Sequence, residues 1–480
     1  MPRVIEKDSI ILLNLFAEFV DSRSDEVQLH HDHPQLAKEY DRLRQVLSHP
    51  LKDSAERATK LSNVIKWKQD APRQLDACLV EIRSKTGYEN FHLEPAFSDP
   101  IAQAVEGPIV TINVTELASD AIILLSQEIH VLNLPGMHTS ISSHFGLSTL
   151  LGRFRNLGDR GSHRDMQGEM DTLNSVPEPL LSYYRTSSLA WLWECCVCPV
   201  LGKIEALTSS TPSSDCPLNR IWWIGTGVAS SLPFHAVGHG PEQPTENTMH
   251  RVISSYTPTI KALTYFRSCL NKITATTLNQ DVQSSITIVA MPTTPAGRSL
   301  PGVFQEIEVI QKAAAAVSAA YKVQVEHQPG AEAILEVMKK HNIIHFTCHG
   351  SCDPGNPSES HLLLQHHSNS DNPSSTPGVE RLTVQQISDH VASQARITFL
   401  SACSTAQITA EKLTYEAIHL ASAFQVAVGH LIASMWSAND DACPEVARHF
   451  YGQLLAQFQE GRIPFSNRSV AEALHNAVWH

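Results

Sequence analysis

Two short stretches of the chain carry side chains that could do covalent chemistry: Cys348-His349-Gly350-Ser351 and Ser401-Ala402-Cys403-Ser404. A thiol attacks a carbonyl only as its thiolate, so Cys403 requires a nearby imidazole or a favourable backbone field. His349 suits that task, because an imidazole exchanges a proton near neutral pH and can pass it to a leaving amine. Gly350 lacks a Cβ, which lets its N–H approach a developing oxyanion together with the N–H of Cys403. Attack on a peptide carbonyl would give a thioester that water then hydrolyses.

Such chemistry needs elements that bring the two stretches together. Each follows an apolar, β-rich run: Asn342-Ile-Ile-His-Phe-Thr-Cys348 and Arg396-Ile-Thr-Phe-Leu-Ser401. Around them strand and helix alternate. Ser285–Met291, Lys322–Glu326 and Leu431–Met435 read as strands, and Val303, Ile307, Ile310 and Val317 mark one helical face. Ala331–Lys340, a stretch capped by Thr383 and Leu413–Val428 read as further helices. This alternation argues for a mostly parallel sheet with helices on both faces. Sequential parallel strands tend to be neighbours about 4.8 Å apart, and sites lie beyond their carboxyl ends. Side chains leaving those two strands could then meet.

Upstream, Ile109–Val114, Ile122–Leu125, Glu128–Leu134, Ile221–Ile224 and Arg251–Tyr256 are strand candidates, and Leu189–Cys198 reads as an apolar helix ended by Pro199. Cys195 and Cys196 within it lack a second Cys/His pair at finger spacing and read as small buried residues. His345, Cys348, His349 and Cys352 have superficial metal spacing, but strand alternation sends Cys348 to the face opposite His345 and His349. The reading calls for no metal and no cofactor. Up to about residue 95 the chain reads as helices, with stripes at Leu12, Leu15, Phe16, Phe19 and Val20 and at Leu36, Tyr40, Leu43 and Leu47. Three parts are expected: a helical segment over 1–95, an α/β subdomain over 96–280 and a catalytic subdomain over 281–480.

The 480 residues carry a net charge of −13 and no Lys/Arg cluster, which argues against a nucleic-acid partner. No export signal and no apolar run of membrane-spanning length is seen, and the ten cysteines lack disulfide-framework spacing. A cytoplasmic protein with no membrane partner is expected. GxxxxGK[ST], HExxH and GxSxG are missing, so nucleotide hydrolysis, zinc-protease and serine-hydrolase readings have no motif.

His349 and Cys403 stand 54 positions apart, close to the roughly 50 of caspase-type enzymes. Ile344-His-Phe-Thr-Cys-His-Gly350, Phe399-Leu-Ser-Ala-Cys-Ser-Thr405, Ile418-His-Leu-Ala-Ser-Ala-Phe-Gln425 and Leu431-Ile-Ala-Ser-Met-Trp436 resemble the CHAT family. So do Glu106-Gly-Pro-Ile-Val-Thr-Ile-Asn113, Asp120-Ala-Ile-Ile-Leu124, Ser231-Leu-Pro-Phe-His-Ala236 and Val252-Ile-Ser-Ser-Tyr-Thr-Pro-Thr259. CHAT proteins are caspase-like proteases related to separase, often attached to tetratricopeptide repeats. The resemblance, over roughly 96–480, implies a caspase-like fold, a His349/Cys403 dyad, an oxyanion site from Gly350 and Cys403, and a protein or peptide substrate. It also implies that Asp440, after the Trp436 strand, binds a basic side chain preceding the scissile bond, although Asp440 and Asp441 would equally suit a helix N-cap region.

Two departures from the family pattern accompany the resemblance. The N-terminal helices are too short and irregular for a repeat array, and the chain stops near Ala473–Val478, where the family usually continues. Little linker separates Leu413 from Trp436, so control by a partner protein or by conformation is expected, not self-cleavage. The competing reading is a non-catalytic scaffold or signalling module on the same fold.

Overall fold

β-branched and aromatic runs bounded by proline, glycine or polar clusters form the strands, as pleated, buried surfaces favour. The computed structural model describes residues 10–13, 29, 32–48, 72–86, 88, 91, 100–115, 118–137, 189–208, 218–240, 242–260, 262–264, 267, 285–295, 297–317, 322–351, 359–366, 378–389, 395–402, 429–435, 440–459 and 466–479. Two compact units emerge, one of residues 17–99 and one of 1–16 with 100–480. In the smaller, helices α1 (Pro34–Ser48) and α2 (72–83) enclose Leu29, Ala37, Tyr40, Leu43, Cys78, Ile82, Tyr88 and Phe91. Tyr40 and Leu43 are the buried face of the stripe anticipated there.

The larger unit is built on eleven strands in one sheet. They are β1 (Ile10–Leu13), β2 (Ile109–Val114), β3 (Ser119–Leu124), β4 (Ile129–Asn133), β5 (Asn219–Thr226), β6 (Val252–Tyr256), β7 (Ser285–Ala290), β8 (Lys322–His327), β9 (Ile343–Thr347), β13 (Ile397–Ser401) and β14 (His430–Ser434). The order is β4-β3-β2-β5-β6-β1-β14-β13-β9-β7-β8. Pairing is parallel through β2, β5, β6 and β1 and again from β14 to β8, while β1 runs antiparallel to β14 and β3 and β4 form an antiparallel edge. A separate three-stranded antiparallel sheet joins β10 (His349–Ser351), β11 (His361–His366) and β12 (Gly378–Thr383). The mostly parallel α/β expectation holds. Leu12 does not lie on a helix: residues 10–13 form the strand that joins the two parallel blocks. A short apolar run such as Ile-Ile-Leu-Leu fits a buried strand as well as a helix, and pairing partners decide.

Both sheet faces are covered. One carries α4 (Gly302–Val317), α7 (Cys443–Gln459) and α8 (Asn467–Trp479), packed on Ile253, Ile286, Ile288, Ile343, Ile397, Phe399 and Ile432. The opposite layer has α3 (Cys198–Thr208), α5 (Ala331–Met338) and α6 (Val384–Asp389), against Ile344, Phe346, Leu400 and Leu431. Thr383 caps α6 reciprocally, its Oγ1 accepting from the Gln386 N–H at 3.2 Å and its own N–H donating to Gln386 Oε1 at 2.9 Å. Pro199 does not end its helix. A π-turn over Trp193–Val197, closed by the Cys198 N–H on the Trp193 carbonyl, precedes it. The widened turn admits a ring that would clash in a regular α-helix. Among the described residues no helix is long and apolar enough to cross a membrane. The helix expected over Leu413–Val428 lies outside them, as does Cys403.

Candidate active site

β9 and β13 are adjacent and parallel, with His345 opposite Phe399 and Thr347 opposite Ser401. Alternation puts Ile343, His345 and Thr347 toward α4 and α7, and Ile344, Phe346 and Cys348 toward the other layer, where Cys348 is buried. Past Cys348 the backbone leaves the main sheet, and half-buried His349 and Gly350 pair with Leu363 and Leu362 of β11. Ser434 of β14 donates its hydroxyl to the Ala402 carbonyl at 2.7 Å, fixing the backbone immediately before Cys403.

The imidazole of His349 is held by the loop between β7 and α4. Its Nε2 lies 2.6 Å from the Arg298 carbonyl oxygen. A carbonyl only accepts, so Nε2 carries the proton and, in the neutral ring, Nδ1 holds the lone pair. Gly297 allows this approach, since a Cβ there would sit 3.2 Å from His349 Cδ2. The loop is fastened to itself by the Gly297 N–H on the Thr294 carbonyl at 2.9 Å and the Leu300 N–H on the Pro292 carbonyl at 2.9 Å.

Asp440 meets the end of the same loop. Its Oδ2 accepts from the Gly302 N–H at 2.9 Å, at the first residue of α4, where an unsatisfied helix donor and the positive end of the dipole favour a carboxylate. The contact is close: a Cβ on Gly302 would fall 2.4 Å from the Asp440 carbonyl oxygen. Burial pushes the Asp440 carboxyl above the usual range; the Gly302 N–H opposes this, Glu306 and Asp441 add to it, and Arg298 counters it. His349 and Asp440 thus share one loop, tied at Arg298 and Gly302. The helix end that Asp440 serves is that of α4.

Sequence reasoning overlooked a buried polar group under this loop. Glu306 of α4, 1 % exposed, accepts from His345 Nε2 at 2.7 Å and from the Thr347 hydroxyl at 2.9 Å. His345 Nδ1 lies 3.2 Å from the Tyr451 hydroxyl on α7. Burial, with the Glu306 charge adding to it, raises the Tyr451 pKa well above its ordinary value, so the phenol keeps its proton. A signal was present: Glu306 falls three residues after Val303 and four before Ile310, on the apolar stripe.

A mostly parallel α/β sheet with a backbone-oriented histidine at its carboxyl edge is the class of protein these features define. The family model for the CHAT domain matches residues 186–479, more than half of the chain, and the chain belongs to the CHAT family. Two solved structures of the Saccharomyces cerevisiae separase–securin complex, at 2.6 and 3.0 Å, are similar at 12 % and 10 % identity, each with a TM-score of 0.33. Each match covers 93 % of this chain and 26 % of the other, so this chain spans about a quarter of their length. No curated protein matches.

Proposed function

We propose that the protein is a cysteine endopeptidase in which Cys403 is the nucleophile and His349 moves the protons. The observation that carries this reading is the 2.6 Å bond from His349 Nε2–H to the Arg298 carbonyl, which leaves Nδ1 as the basic nitrogen at the sheet's carboxyl edge. The register supports the pairing, because Phe399/His345 and Ser401/Thr347 are partners and Cys403 and His349 each follow two residues later in sequence. On this reading Nδ1 takes the thiol proton, and the thiolate sulfur bonds to the carbonyl carbon. The resulting oxyanion accepts the N–H groups of Gly350 and Cys403. Collapse breaks the C–N bond, and the imidazolium protonates the departing amine. Water, deprotonated by Nδ1, then cleaves the thioester and restores the thiol.

Asp440 is proposed to favour Arg or Lys before the scissile bond. Residues 96–280 are proposed to support a catalytic part over 281–480, under control of a partner protein and in the cytoplasm, where scattered cysteines stay reduced. The test sets the purified protein and its Cys403→Ala variant against a proteome-derived peptide library, with new termini read by mass spectrometry. Cleavage by the parent alone supports the proposal. No cleavage by either folded protein means a latent enzyme awaiting its partner or a binding scaffold, and the search then turns to binding partners.

A further inference from the structure

We infer that Glu306 is a positioning residue for His349, an inference that rests on the reading of His349 as the catalytic base. Glu306 and His345, 1 % and 0 % exposed, sit in the layer between α4, α7 and the sheet, among Ile310, Phe399 and Phe450. A buried carboxylate and its partner carry a desolvation cost, and apolar residues of similar volume in their place commonly leave a protein as stable or more so. Stability alone therefore does not account for the group. Direction does. Apolar contacts let a helix slide over a strand, whereas one carboxylate that accepts from both His345 and Thr347 fixes α4 in translation and rotation against β9.

What depends on that placement lies one turn upstream. Gly302, four residues before Glu306, is clamped to Asp440, and the loop leading into it carries the Arg298 carbonyl that holds His349 Nε2–H. A displacement of α4 by about 1 Å would break a 2.6 Å hydrogen bond. The imidazole would then divide between tautomers and lose the orientation that makes Nδ1 the base. Glu306 thus acts on the site through α4 and Arg298, without touching the substrate.

The test has a readout independent of proteolysis. In protein labelled with ¹⁵N-histidine, the His349 ring signals, assigned through His349→Gln, are expected to show the Nε2–H tautomer. In Glu306→Leu/His345→Leu, the melting temperature should equal or exceed the parent's while His349 becomes a mixture of tautomers. If the parent cleaves peptides, kcat should fall on the order of 10- to 100-fold with KM within about twofold. A second pair covers the case in which that variant does not fold. Glu306→Gln keeps length and an acceptor for Thr347 and should retain the His349 signature, whereas Glu306→Asp keeps the charge, shortens the reach and should lose it. An unchanged His349 tautomer in the folded Leu pair, or in Glu306→Asp, overturns the inference. Lack of cleavage by the parent bears only on the proteolytic reading, and the ring signals still decide this one.

Discussion

A backbone carbonyl that can only accept sets the tautomer of the neutral histidine it faces, and one side-chain oxygen can similarly fix where a helix begins. Asp440 does the latter for α4 through Gly302. Asp440→Asn keeps an acceptor for the Gly302 N–H and loses the charge, whereas Asp440→Ala loses both. The Asn variant is expected to keep the parent's melting temperature within a few degrees, and the Ala variant to lose about 1 kcal/mol, as with removal of a helix cap. If Asp440 also recognises basic substrates, both variants should lose any Arg/Lys preference in the peptide library; unchanged selectivity sinks that role. Gly302→Ala, which drives a Cβ into the Asp440 carbonyl oxygen, should cost about 1–3 kcal/mol by denaturant titration.

At the level of elements, α8 is where acidity should act. Burial, aided by the charge of His250, pushes the His475 imidazole down to about 4, and His250 is also lowered by burial. The His250 ring lies edge-on to Trp479 of the same helix, centroids 4.0 Å apart. The unfolded chain protonates such a histidine near 6.5, so between about pH 6.5 and 4 it binds more protons than the folded chain does. Stability is full above that window and falls through it as pH drops, by on the order of 3 kcal/mol for His475. Urea midpoints measured at pH 7.5 and 4.5 should differ accordingly, and His475→Asn should shrink the difference. An equal difference in the variant would place the acid sensitivity elsewhere.

The large unit is expected to unfold as one body. β1 bridges its two parallel blocks, and the α4/α7/α8 layer packs on Ile253 from one block and on Ile286, Ile397 and Ile432 from the other. Arg220, 2 % exposed, adds a tie from β5: Nε donates to Ser255 Oγ at 2.9 Å, Nη1 to the Asn467 carbonyl at 2.9 Å, and the guanidinium lies 4.0 Å from the Trp222 ring. Tryptophan fluorescence, from Trp222 and Trp223 among others, and hydrogen exchange in β9 and β13 should report one coincident transition. Arg220→Met should move both by about 2–3 kcal/mol. Separate midpoints for the two blocks would refute this unity.

Local patterns determined much of the protein. β7, β9, β13, α4 and α5 were legible because strand and helix periodicities depend on neighbours in the chain. The placement of His345 on the face opposite Cys348 followed from alternation alone. His349, in contrast, lies past the point where the backbone leaves the sheet, in β10, and only the tertiary structure sets its ring on the Arg298 carbonyl. The three-residue spacing of Thr383 and Gln386 similarly fixes a cap. Tertiary structure decided what depends on distant partners. Ile10–Leu13 is a strand because β6 and β14 flank it, and the α3 segment runs through Pro199 because a π-turn relieves the ring. Glu306 is a buried acceptor because β9 presents His345 and Thr347 to it, and Asp440 serves α4 through an N–H 138 positions away. No local pattern encodes a partner at that separation; only packing α4 and α7 on one sheet face brings the two together.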